Sequence, residues 1–97
     1  MPKTTKDRPQ ASAPVEITRV QTGVRIEARL LKVLKALADY HNLTLGDLLE
    51  GIALHALEGK APFSPRSLQK IKELKKVFEL DLDARHSHRL REKGHSK

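Results

Sequence analysis

Residues 18–30 read TRVQTGVRIEARL, and the reading of this stretch decides the fold. As far as Ile26, apolar and polar residues alternate. From Glu27 onward the apolar spacing is helical. In an extended chain Val20, Thr22, Val24 and Ile26 share one face, while Arg19, Gln21, Gly23 and Arg25 share the other. The alternation predicts a strand over residues 19–26. Gly23 works against it, because glycine packs no side chain and loses more backbone entropy on ordering.

Outward from this stretch the chain reads as helical. Residues 27–41, EARLLKVLKALADYH, place Leu30, Leu34 and Leu37 in one row with Leu31, Val33 and Ala38 beside it. Glu27 is expected in the first turn, at the positive end of the helix dipole. Residues 45–58, LGDLLEGIALHALE, carry Leu45, Leu48, Leu49, Ile52, Ala53, Ala56 and Leu57 at amphipathic spacing. Thr44 is the expected N-cap, with Asp47 three residues on, and Gly59 the expected stop. Gly46 and Gly51 lie inside this helix, each costing ~1 kcal/mol relative to alanine. Ser64 followed by Pro65 opens a third helix, about 64–79, with Leu68, Ile71, Leu74 and Phe78 as its apolar stripe.

The predicted division is a disordered arm over 1–14, a strand-and-two-helix domain over 15–59, a linker with a third amphipathic helix over 60–83, and a basic flexible tail over 84–97. The net charge is +7, made of +2 on residues 1–19, +1 on 20–83 and +4 on 84–97. The excess therefore sits on the two ends, a footprint shared by polyanion-binding tails and by plain solvated termini. Hydrophobic residues make up 38% of the chain, below the usual ~45–50%. There is no cysteine, so no disulfide or zinc-thiolate site supplements a small core. Oligomerisation is the remaining common remedy. The chain holds no apolar run of membrane-spanning length and no signal-peptide pattern at its start, so a cytoplasmic, bacterial-type protein is expected.

A single strand leaves its N–H and C=O groups unpaired on both edges. The simplest partner is the same strand of a second copy, antiparallel across a two-fold axis. The expected dimer core is then Val20, Val24, Ile26, Leu34, Leu48, Gly51 and Ile52, with Gly51 allowing close helix crossing.

Strand, helix, short turn and helix over residues 19–58 resemble the ribbon-helix-helix family of bacterial repressors, the superfamily of the methionine and Arc repressors. The residues that carry the likeness are VQTGVRI, EARLLKVLKALADYH, NLT and LGDLLEGIALHAL. The resemblance implies a mainly α fold: an intertwined homodimer with a two-stranded antiparallel intermolecular ribbon, here extended by a C-terminal helix. It implies a DNA-binding transcriptional regulator whose ribbon enters the major groove. By the same resemblance Gln21, Gly23 and Arg25 take the base-reading positions. Backbone N–H groups of Leu45 and Gly46, capped by Thr44, would grip a phosphate, as helix N-termini do. Arg19 and Arg29 are further candidates for the DNA backbone. The family commonly has a polar side chain where this chain has Gly23, which leaves readout to Gln21 and Arg25.

Other readings stay open. Arg19, Gln21 and Arg25 also suit a plain solvated face. The chain also reads as an antitoxin-like interaction module whose residues 60–83 dock on a protein partner, with weak or non-specific DNA binding. The five histidines show no metal-ligand spacing with acidic or sulfur groups, and no nucleophile–base pattern occurs. No cofactor, metal or catalytic residue is therefore expected; the expected partners are double-stranded DNA and a second copy of the chain.

Overall fold

The computed structural model describes residues 13–94. It contains three helices of equal length: α1 (Ala28–Tyr40), α2 (Leu45–Leu57) and α3 (Pro65–Val77), followed by a single 3-10 turn, Ala84–His86. Both α2 and α3 pack on α1, which is the central element. Residues 1–12 of the expected N-terminal arm, and 95–97 of the tail, lie outside the described residues.

The helix starts follow from local chemistry. Thr44 caps α2, its Oγ1 accepting from Asp47 N at 3.1 Å. Ser64 caps α3, accepting from Ser67 N at 3.2 Å, with Pro65 at the first helical position where no N–H is needed. Glu27 lies before α1 rather than inside its first turn. Its carboxylate is the cap, accepting from Leu30 N at 2.7 Å.

All three helices stop in the same way. A residue in the left-handed region follows each one: Asn42 (φ 59°), Gly59 (φ 74°) and Glu79 (φ 56°). The next amide reaches back to a carbonyl five residues earlier: Leu43 to Ala38 (2.8 Å), Lys60 to His55 (2.8 Å) and Leu80 to Lys75 (2.8 Å). This is the Schellman ending, which satisfies carbonyls the helix leaves unpaired.

The core is small. Val33, Leu37, Ala38, Leu48 and Leu80 are its buried apolar residues, and Leu34, Ile52, Phe63, Ile71 and Leu74 pack partly buried around it. Leu34, Leu48 and Ile52, expected at a dimer core, thus contribute to the core of the single chain. The C-terminal half of α2 does not. Ala53 and Ala56 are exposed, Leu54 is 65% exposed and Leu57 83%. The reason is that α3 lies on α1 and leaves that end of α2 uncovered.

The expected ribbon-helix-helix fold is corrected here. The mainly α character is present, but there is no β-strand among the described residues, and so no two-stranded ribbon. Residues 14–27 contain no helix or strand. Alternation of side chains alone does not make a strand; the N–H and C=O groups need a ladder. The elements among the described residues are all helical and offer no edge, so the segment has no ladder to join. Val15, Ile17, Val20 and Val24 stand exposed along it, and only Ile26 is half-buried. After Asp83 the chain forms the 3-10 turn, with Asp83 accepting from Arg85 N at 3.0 Å and Asp83 N donating to His86 Nδ1 at 3.0 Å.

A candidate nucleic-acid interface

The candidate contact residues lie on two stretches: the segment before α1 and the first turn of α2. Gln21, Gly23 and Arg25 are all exposed, at a spacing of two, with no helix or strand around them. A Cβ added at Gly23 would meet nothing within 4 Å, so neither packing nor backbone conformation requires glycine there. Gly51 is similar: a Cβ there meets nothing within 4 Å among the described residues.

The arginines are engaged. Arg19 donates from Nε to Glu50 Oε2 (2.8 Å), and from Nη2 to Glu50 Oε1 (2.9 Å) and Asp47 Oδ1 (3.1 Å). This ties the extended segment to the first two turns of α2. The hydrogen bond and charge of Arg19 hold the Glu50 carboxyl below its usual range. The same corner contains Thr44, Leu45 and Gly46, proposed by resemblance to grip a phosphate. Thr44 Oγ1 is used in capping, and Asp47 places a carboxylate in the same turn, where it competes with any phosphate for the positive end of the helix.

Arg25 is held from the far end of the chain. Its Nε donates to Glu92 Oε1 at 3.1 Å and its Nη2 to Glu92 Oε2, so the pair is bidentate. Hydrogen bonding from Arg25 keeps the Glu92 carboxyl below its usual range. Arg29 is committed to the fold. Its Nη1 donates to the Glu79 carbonyl (2.9 Å) and to Asp81 Oδ1 (3.0 Å), and its Nε to Glu27 Oε2 (3.1 Å). Arg29 therefore links the start of α1 to the chain leaving α3.

The structure thus brings Arg19 together with the α2 N-terminus and places Arg25 at a separate point, beside the C-terminal segment. Sequence reasoning missed the carboxylates that hold these arginines. Asp47 and Glu50 are three apart on one helix face, a signal present in the sequence. Nothing in the sequence marks Glu92, which lies 67 positions from Arg25.

Two further features surround these residues. An open apolar groove of about 350 Å³ runs between α1, α3 and the C-terminal segment, lined by residues including Leu30, Leu34, Ile71, Leu82 and Leu90. Among the described residues no group of three or more His, Cys, Asp or Glu side chains could hold a metal ion. Nor is any helix among them long and apolar enough to cross a membrane.

No protein-family model, curated protein or solved structure matches this chain.

Proposed function

We propose that the protein is a homodimeric DNA-binding protein acting as a transcriptional regulator, with Gln21 and Arg25 as its base-contacting residues. The observation that carries this reading is the segment before α1. It leaves the helical core with neither helix nor strand, and bears Arg19, Gln21 and Arg25 as exposed polar side chains, the two arginines in surface ion pairs. Arginine suits the paired acceptors of guanine, and glutamine those of adenine. The net charge of +7 supports a polyanionic partner, whose phosphates supply sequence-independent affinity.

The dimer is supported by what the single chain leaves uncovered. Val20 and Val24 are 81% and 73% exposed, and Leu54 and Leu57 are exposed on α2. A chain of this size with so few buried apolar residues gains most by covering such side chains with a second copy.

The test is selection of bound duplexes from a random pool at two salt concentrations, with sedimentation of the free protein. A preferred sequence that Arg25→Ala relaxes supports the reading. Equal affinity for unrelated duplexes, unchanged by Arg25→Ala, sinks base contact by this segment.

The pairing of Arg19 and Arg25 with carboxylates favours a second reading, an interaction module for a protein partner. Recovery of one stoichiometric protein through residues 60–83, with no DNA retardation at moderate salt, would select it.

A further inference from the structure

The C-terminal segment folds back on the start of α1. Leu80 is buried against the core. Arg29 anchors Glu79 and Asp81, and the Asp83-capped turn redirects the chain. Leu82 and Leu90 then line the same groove as Leu30 and Leu34. This path delivers Glu92 to Arg25, which is 75% exposed in its side chain and otherwise open to solvent. The bidentate fork that Glu92 occupies, Nε and Nη2, is one an arginine also presents to a phosphate or to a guanine edge. One fork cannot serve a carboxylate and a nucleic acid at once.

We propose that Glu92 is a built-in competitor of DNA for Arg25, so that the C-terminal segment restrains DNA binding by the same residue that would contact the bases. The inference rests on the DNA-binding reading and adds regulation to it. An exposed ion pair is weak, so the restraint is a tuning of affinity rather than a block. It exchanges carboxylate for nucleic acid at Arg25, while Arg89, Arg91 and Lys93 on the same segment remain positively charged whichever partner Arg25 holds.

The test is a set of full-length variants in duplex-binding titrations at low salt. Glu92→Gln removes the competitor. Glu58→Gln makes the same charge change at the end of α2, where Glu58 pairs with Lys60. Glu92→Gln is expected to bind about 2- to 5-fold more tightly than wild type, the range an exposed pair allows, and Glu58→Gln clearly less. In an Arg25→Gln background the added Glu92→Gln change should give no more than Glu58→Gln does, which makes the coupling specific. Equal gains from Glu92→Gln and Glu58→Gln, or a gain that persists without Arg25, overturn the inference while leaving DNA binding in place. A wild-type chain that retards no duplex overturns the DNA reading and this inference together. NMR titration of Glu92 in the free protein supplies an independent readout. Its carboxyl should titrate lower in wild type than in Arg25→Gln, and equal titration overturns the pairing on which the competition depends.

Discussion

The hydroxyl of Ser67 lies 3.2 Å from Nε2 of His41, joining the first turn of α3 to the residue that ends α1. Ser67 is only 7% exposed and is the sole buried polar residue among those described. It also takes part in the Ser64 cap, so one small side chain sets both where α3 begins and where it sits on α1. Ser67→Ala leaves His41 Nε2 without its partner and should lower stability by ~1 kcal/mol. Urea unfolding would show a lower midpoint at unchanged slope. An unchanged midpoint would mean that the contact contributes nothing net.

Leu37 is the only large side chain below 2% exposure among the described residues. It faces α2 and α3 together, packed with Leu48 and the partly buried Ile71 and Leu74. Leu37→Ala should cost ~2–5 kcal/mol, a loss that a core of this size cannot absorb. Circular dichroism should show little cooperative unfolding. A sharp transition near the wild-type midpoint would contradict the central place of Leu37.

Arg29 is the cross-link between α1 and the chain beyond α3. Arg29→Gln should release residues 80–90 without unfolding the helices. Amide exchange at Leu80 and Leu82 should accelerate several-fold, while α2 amides keep their rates. In the same variant Glu92 loses the path that delivers it to Arg25, so its carboxyl should titrate closer to its usual value.

The turn at Ala84–His86 carries its own acid limit. Arg85, by hydrogen bond and charge, lowers the Asp83 carboxyl to about 2. A carboxyl depressed on folding favours the folded turn above its unfolded pKa of ~4, and that contribution disappears as pH falls through the folded value. The contribution of the Asp83 carboxylate to the turn should therefore be fully present at pH 5 and be lost progressively between about pH 4 and pH 2. Amide chemical shifts of Ala84 to His86 follow this directly. Asp83→Asn should remove most of the change in that window.

Leu57 tests the dimer. It is 83% exposed on the chain alone, so Leu57→Glu should leave the monomer fold intact. If α2 is covered by a second copy, the variant should sediment as a monomer at concentrations where the wild type is a dimer. Identical sedimentation of the two would remove this face of α2 from any dimer contact.

Helix positions were legible because their signals are local. Thr44, Ser64 with Pro65, and Gly59 act as stops and starts within a few residues, and each sits where its chemistry predicts. Glu27 was misplaced by a position because glutamate is not among the favoured N-cap residues, although its carboxylate can reach the same amide. The stop after α3 has no glycine to mark it; Glu79 takes the left-handed conformation instead. The strand was misjudged for a different reason. Alternation from Val20 to Ile26 states which faces an extended segment would have, while pairing depends on a partner edge that the sequence cannot display. The candidate arginines were legible as exposed cations. Their partners were not, because the pairing of Arg25 with Glu92 follows from three separate anchors in the C-terminal segment, none of which announces the others.

The three matching helix endings differ in the residue that follows the left-handed position. After α1 it is Leu43 and after α3 the buried Leu80, but after α2 it is Lys60. The Schellman ending commonly seats an apolar residue there against the last helical turn. Lysine supplies no such seat, and Gly59, Lys60 and Ala61 are all exposed. Only Leu80 is buried; Leu43 is 40% exposed, so the chain seats an apolar residue firmly on the core after α3 and runs through solvent after α2. Added sequence, such as a reporter loop or a fused domain, should be tolerated between Lys60 and Ala61, whereas the corresponding corner at the buried Leu80 should reject it.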